Sequence, residues 1–271
     1  MEVLSLGGGI QSTALFLMNL HHEIEPGVDF AIFADTGWER QGTYENITRL
    51  NSIGLDRGFG PIWKVKAGNI RADMLAAGDG HYDHMPLFTQ SSRLTGQLRL
   101  DGSDEVVKGT GQLRRQCTGH YKIDAINRAV RDEHGMARRV QWIGFSVDEL
   151  QRMRPSRVKY ITLRFPLIEK RMSRADCVVW LLEHGYAIPV KSSCIGCPYH
   201  TDAEWVNLTA EEWKDACKFD DAIRDRHLHL TSKSFRLYLH SSLIPLSEVK
   251  LHPKVEENLE KDGDCAGGCW L

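Results

Sequence analysis

A glycine triplet set between an apolar stretch and a helix-forming one constrains this chain more than any other feature of its sequence. Val3 to Leu6 is apolar, Gly7-Gly8-Gly9 follows, and Gln11 to Leu20 is rich in helix formers, which reads as strand, tight loop, helix. In a doubly wound sheet such a loop lies at the carboxyl end of the first strand, where these folds bind ligands. Without Cβ atoms, Gly7, Gly8 and Gly9 let backbone amides approach an anion. The helix starting near Gln11 adds unpaired N–H groups and the positive end of its dipole. Ser5 precedes the triplet, and Ser12 and Thr13 add hydroxyl donors. No Lys-Ser or Lys-Thr closes the loop as in a Walker A motif, and GxGxxG lacks its third glycine, so a pyrophosphate-type loop remains.

The pattern then repeats. Val28 to Phe33 reads as a buried strand, Ala34 to Glu39 as a loop and Gly42 to Leu50 as a helix. Ile62 to Val65 and Val140 to Phe145 make further strands, and a helix is expected from about Tyr121 to Asp132, where Ile123, Ile126 and Val130 recur at helical spacing. Strands alternating with helices indicate a parallel sheet covered on both faces. Between Asp73 and Gln116 no period is evident, and a long, lid-like loop is expected. Ser173 is placed to cap a helix reaching about His184, and Thr209 with Glu212 forms a capping box for another ending near Arg226. These readings give an α/β domain over residues 1–170 and a helical, cysteine-bearing extension over 171–271, the two expected to pack as one unit.

At 271 residues with 42% hydrophobic content the chain is long enough for a packed core. Its 34 basic and 36 acidic side chains leave a formal charge of −2, so no overall positive field draws it to nucleic acid. The amino terminus lacks a secretory pattern, and nowhere do about 18 apolar residues run together. The expectation is a cytoplasmic protein with no membrane partner.

The glycine loop, together with Phe33-Ala34-Asp35-Thr36-Gly37-Trp38-Glu39 after the second strand, resembles the PP-loop superfamily, in particular its phosphoadenosine phosphosulfate reductase-like branch. The resemblance continues in order through Arg114-Arg115-Gln116-Cys117-Thr118 and Lys122, Trp142-Ile143-Gly144, the run Arg152, Arg154 and Arg157, Phe165-Pro166-Leu167-Ile168, and Ser193-Cys194-Ile195-Gly196-Cys197-Pro198. Within that branch the chain looks most similar to phage and bacterial proteins of uncharacterised function. It implies an adenine nucleotide alpha-hydrolase-like fold that binds ATP or another adenine nucleotide, with Mg2+ bridging phosphates. Ser5, Gly7, Gly8, Gly9, Gln11, Ser12 and Thr13 would cradle phosphates, and Asp35, Thr36 and Gly37 would border the nucleoside. Arg152 and Arg157 would close on phosphate or sulfate through forked hydrogen bonds. Two positions depart from the common SGGxDS pattern: Gly7 stands at its first Ser and Gln11 at its Asp.

Seven cysteines in a chain of this size read as metal ligands or reactive sulfur sites. Cys194-Ile195-Gly196-Cys197 has the spacing for two thiolates on one metal or cluster; zinc, a thiol-disulfide pair and a structural role are its other readings. Cys117 is the best third ligand, because Arg114, Arg115 and Lys122 around it would hold thiolates deprotonated. The resemblance supports the same trio, since PP-loop thiolation enzymes carry three-cysteine 4Fe-4S clusters. Cys265 and Cys269, separated by Ala266-Gly267-Gly268, could donate a fourth ligand, carry a persulfide or act as the nucleophile. Asp264-Cys265-Ala266 resembles in part the Glu-Cys-Gly motif of phosphosulfate reductases. Cys177 and Cys217 read as core residues, His120 and His200 as structural histidines beside the cysteine group, and Trp38 as packing or as an adenine platform.

Three functions are therefore expected in order. The first is an ATP-dependent sulfurtransferase, in which Lys122 and the tail cysteines serve catalysis, a sulfur donor supplies the cluster, and the acceptor is a nucleobase, a tRNA or another small molecule. The second is a thiol- or cluster-dependent reductase of adenylyl sulfate, and the third a non-catalytic nucleotide-binding module. A homodimer is compatible with all three.

Overall fold

The computed structural model describes residues 1–76, 85–98, 104–225 and 235–253. Cys265 and Cys269 lie outside them. The described chain runs β1 (Glu2–Ser5), α1 (Ile10–Leu20), β2 (Phe30–Asp35), α2 (Gln41–Asp56), β3 (Trp63–Lys66), α3 (Ile70–Ala76), β4 (Phe88–Leu98) and β5 (Asp104–Gln112). A π-helical turn at Thr118–Ile123 then leads into α4 (Asp124–His134), β6 (Arg139–Ile143), β7 (Ile161–Arg164), α5 (Pro166–Glu169) and α6 (Arg174–Glu183). The chain continues with α7 (Asp202–Val206), α8 (Ala210–Ile223) and β8 (Phe235–Tyr238).

By compactness the chain forms two units, each assembled from separate stretches. The first includes Met1–Gly68 and Thr118–Cys194; the second is Asn69–Cys117 with Ile195–Val255. The described chain thus passes between the units after Gly68, Cys117 and Cys194. Cys177 and Leu181 of α6 belong to the same core as α1.

In the first unit, five strands form one sheet in the order β3-β2-β1-β6-β7, every neighbouring pair parallel. Alternation along the strands sorts residues to two faces. Leu4, Ala31 and Phe33 meet Leu15, Phe16 and Met18 of α1, Ile47 and Leu50 of α2, and Leu181 of α6. Val3, Phe30 and Ile32 meet Ile126 and Val130 of α4 on the other face. Each large apolar side chain buried in this way contributes about 2 kcal/mol, which holds helices on both faces. The chain moves outward from β1 to β2 and β3, then returns to place β6 on the other side of β1. The sheet therefore has its topological switch point between β1 and β6. β7, which the sequence reading left out, adds an edge strand in register with β6 from Arg139↔Ile161 to Trp142↔Arg164.

The second unit corrects the loop expected between Asp73 and Gln116. There β4 and β5 pair antiparallel over most of their length, and β4 also pairs with β8, giving a three-stranded sheet in the order β5-β4-β8. In the same unit Asp220 of α8, fully buried, accepts hydrogen bonds from the amides of Leu239 (2.8 Å) and Leu246 (2.9 Å) and pairs with Arg224. Both expected helix starts form as capping boxes, Ser173 with Asp176 and Thr209 with Glu212, and Thr201 with Glu204 makes a third. Among the described residues no helix is long and apolar enough to cross a membrane.

Candidate functional site

The glycine loop leaves β1 at the switch point and is fixed from several directions. Gly8 has a left-handed φ of 77°, and a Cβ there would meet Thr43 Cγ2 at 3.1 Å and Ile47 Cδ1 at 3.3 Å. From α2, Asn46 Nδ2 donates to the Gly8 carbonyl and to Thr13 Oγ1, both at 2.9 Å. Arg49 donates to Asn46 Oδ1 at 2.7 Å and so sets the orientation of that amide. From β6, Gly144 packs so closely that a Cβ would lie 3.0 Å from the Ser12 backbone. Ser192 covers the remaining side, its Oγ 3.2 Å from where a Gly9 Cβ would stand. Asn46 was not among the expected site residues, because a polar residue in mid-helix reads as solvent-facing unless its partner is known.

The hydroxyls near the loop are already engaged. Ser5 Oγ accepts from Gln141 Nε2 at 2.7 Å, Ser12 Oγ donates to the Gly9 carbonyl at 3.2 Å, and Thr13 is fully buried. What the loop offers an anion is therefore backbone N–H at the start of α1, whose first turn contains no acidic residue. Gln11 faces another network. Its Nε2 donates to Glu149 Oε2 at 3.0 Å, and its Oε1 accepts from Arg174 at 3.4 Å. Arg152 pairs with the same Glu149 and lies 4.4 Å over the Phe145 ring, whereas Arg157 is exposed.

Beyond β2 a second polar cluster forms within the same unit. Asp35 Oδ1 accepts from the Gly37 amide and from the Tyr44 hydroxyl, each at 2.7 Å, so it shapes the turn; the residue that caps α2 is Arg40. Burial, with this hydrogen bond added, pushes the Tyr44 phenol well above its ordinary range. Thr36, buried, donates to Glu39 Oε1 at 3.1 Å and lies 3.3 Å from the Cys194 sulfur. The Cys194 thiol is also 4.0 Å from Glu39 Oε1, and the two residues form an isolated antiparallel bridge. The Glu39 side chain is wholly buried, and Lys122 Nζ approaches its Oε1 to 3.1 Å. Glu39 Oε2 is buried with no hydrogen-bond partner among the described residues. Glu39 was quoted from the sequence only as part of a motif; a carboxylate after Trp38 gave no sign that it would be inside. Trp38 is 4% exposed and packs in the interior.

Cys117 and Cys197 both belong to the second unit. Burial pushes the Cys197 thiol up to about 12; the nearby Cys117 sulfur adds to this, while the Tyr199 amide and Arg115 act against it. Arg115 is 5.4 Å over the Tyr199 ring. His200 packs edge-on against Trp205 with ring centres 4.6 Å apart, as a structural histidine does. Cys177 is fully buried in the core as expected, and Cys217 is half-buried.

These features define an α/β chain with an all-parallel five-stranded sheet and a closely packed glycine loop at its switch point. Compared with models of protein families and with curated proteins, the chain matches none.

Proposed function

We propose that the chain is an ATP-dependent sulfurtransferase of the PP-loop type, with the adenine nucleotide seated on the Gly7 to Thr13 loop. The observation that supports this most is the placement of a thiol beside a phosphate-type loop in one unit. Ser192 packs on Gly9, and two residues later the Cys194 sulfur meets Thr36 at the end of β2. In a doubly wound sheet the carboxyl ends of adjacent strands line one crevice, so nucleotide and sulfur chemistry would share it.

Backbone amides at the head of α1 would hold the nucleotide's phosphates, and magnesium carried in on them would offset their charge. An acceptor carbonyl oxygen attacks the α-phosphorus; an O–P bond forms, the α–β phosphoanhydride breaks, and pyrophosphate leaves. A sulfur nucleophile then attacks the activated carbon, its C–O bond breaks, and AMP departs. Glu39, 4.0 Å from the Cys194 sulfur and 3.1 Å from Lys122 Nζ, would take a proton from that thiol.

Cys117 and Cys197, neighbouring thiols of the second unit, would hold one end of an iron-sulfur site. Cys194, the third thiol of the expected trio, belongs to the first unit. Such a cluster would supply an open iron able to carry sulfide.

The Cys194 contact also favours a second reading, reduction of an adenylyl sulfate. There a thiolate attacks the sulfate sulfur and expels AMP, and a second thiol releases sulfite as a disulfide forms, to be reset by a dithiol reductant. Purification without oxygen, followed by iron, sulfide and nucleotide analysis and by assays for pyrophosphate and sulfite, separates these readings. About four irons per chain with pyrophosphate release on adding ATP and acceptor is the expected result. Sulfite from an adenylyl sulfate would install the second reading, and nucleotide binding without turnover would leave only a binding module.

A further inference from the structure

The opposite end of α1 from the glycine loop gathers a separate group of ligand-type side chains. His21 is the residue after α1 and His184 the residue after α6, and the two helices share one core through Leu17 and Leu181. The chain turns at His22, with a left-handed φ of 57°, and presents Glu23. One ligand atom from each of His21, Glu23 and His184 lies within 4.8 Å of the other two.

Neighbouring groups prepare these side chains to ligate. His184 Nδ1 is 2.8 Å from the Trp180 carbonyl; a carbonyl only accepts, so Nδ1 bears the proton. That leaves the Nε2 lone pair 3.8 Å from Glu23 Oε1. In the neutral ring, a cation between that lone pair and the carboxylate would satisfy both. An N–H donated to a backbone carbonyl is also how metal-ligating histidines are oriented. The indole of Trp180 stacks on His184 with ring centres 4.0 Å apart and donates to Glu23 Oε1 at 3.1 Å, fixing both. The Tyr186 hydroxyl lies 2.9 Å from His21 Nε2; with that N–H donated to the phenol oxygen, Nδ1 of His21 keeps its lone pair.

The local field favours a cation as well. Two helix carboxyl ends meet here, each with partial negative charge, and neither has a basic residue in its last turn. Among the described residues Arg57, which donates to Tyr186 at 2.9 Å, and Lys170, which donates to the Glu23 carbonyl oxygen at 3.2 Å, oppose a cation here, and both reach the group through atoms other than the Glu23 carboxylate. His21 is half-buried and the other two residues are exposed, so an ion has access from solvent.

We propose that His21, Glu23 and His184 form a divalent transition-metal site, with zinc the best match to two imidazoles and a carboxylate, clamping the end of α1 to the end of α6. Ligand atoms around tetrahedral zinc stand about 3.3 Å apart, so the exposed Glu23 and His184 side chains would close by about 1 Å. A fourth position would remain for water. The glycine loop lies about 16 Å away, the length of α1, so this metal would brace the fold, independently of the proposed transferase chemistry.

The test uses the full reduced chain and two variants, Glu23→Gln, which keeps the acceptor for Trp180, and His184→Ala. Zinc affinity is measured by competition with a chromogenic chelator. Loss of a ligand should weaken one zinc equivalent about tenfold or more, since even outer partners of ligands are worth that much. Zinc should raise the melting temperature of the wild-type chain more than that of either variant. Cysteine-bound metal is distinguished with cobalt(II), because thiolates give an intense charge-transfer band that imidazole and carboxylate do not. The wild-type minus Glu23→Gln difference spectrum should show d–d bands alone. A flat difference spectrum, one made only of charge transfer, or zinc affinities within twofold across all three proteins would overturn the assignment.

Discussion

The side-chain amide of Asn46 lies 2.9 Å from the carbonyl oxygen of Gly8, so that α2 holds the glycine loop from beneath. The same amide donates to Thr13 Oγ1 at 2.9 Å, and Asn46 itself is buried. Asn46→Ala leaves two acceptors short of a donor away from water, at a cost of about 1–3 kcal/mol. The variant should unfold at lower urea concentration and bind adenine nucleotide about tenfold more weakly, as calorimetry would show. Unchanged nucleotide affinity in a folded variant would mean that the loop does not hold phosphate.

Two glycines govern how close other chain segments come to that loop. Gly8→Ala forces a left-handed residue with a side chain against Thr43 and Ile47, at about 1–2 kcal/mol for the backbone alone. Gly144→Ala instead keeps an ordinary backbone and presses its methyl on the Ser12 backbone, 3.0 Å away. The first substitution should show chiefly as lost stability in urea unfolding. The second should show chiefly as weaker nucleotide binding, since it displaces the amides at the start of α1. Equal effects of both on stability, with nucleotide binding intact, would argue against a backbone anion cradle.

The parts of this architecture that could be read from the sequence are those whose signal is local. The apolar run before Gly7 and the helix formers after Gln11 sit side by side in the chain, and the boxes Ser173/Asp176 and Thr209/Glu212 span three residues each. The parts that could not be read depend on distant partners. β4 contains Thr89, Gln90, Ser91 and Gly96, a composition that reads as loop; it pairs with β5 over most of its length, and its first four residues pair also with β8 more than a hundred residues later. β7 is only four residues long and is defined by its register with β6. The burial of Glu39 could not be read because its cation, Lys122, comes from the π-helical turn far along the chain.

That ion pair makes its own prediction. The Glu39 side chain has no solvent exposure and Lys122 has 25%, so Lys122→Ala strands a carboxylate in the interior. Breaking a buried pair from one side costs about 3 kcal/mol or more, whereas replacing both charges with neutral groups of similar shape costs far less. Lys122→Met should therefore destabilise strongly, and Glu39→Gln combined with Lys122→Met should recover most of the loss in urea unfolding. A double variant no better than Lys122→Met would show that Glu39 draws its compensation from elsewhere.

Cys177 makes stability depend on alkaline pH in a direction set by its surroundings. Burial, reinforced by Asp176 and Asp148, raises its thiol from 9.0 to about 12 in the folded chain. Below pH 9 the thiol is protonated in folded and unfolded chains alike, and its contribution is intact. Between pH 9 and 12 the unfolded chain gives up the proton while the folded chain keeps it, so stability falls with rising pH, by at most about 1.4 kcal/mol per pH unit for this group. Cys217, raised to about 11, adds a smaller loss over the same interval. Urea unfolding of metal-free protein from pH 8 to 10.5 should show the decline, and Cys177→Ala should make it shallower even though the missing sulfur lowers stability at pH 8. The folded thiol should also resist alkylation at pH 9 until the chain is unfolded. Rapid modification under native conditions, or a slope that Cys177→Ala leaves untouched, would place that sulfur outside the core that α6 builds on α1.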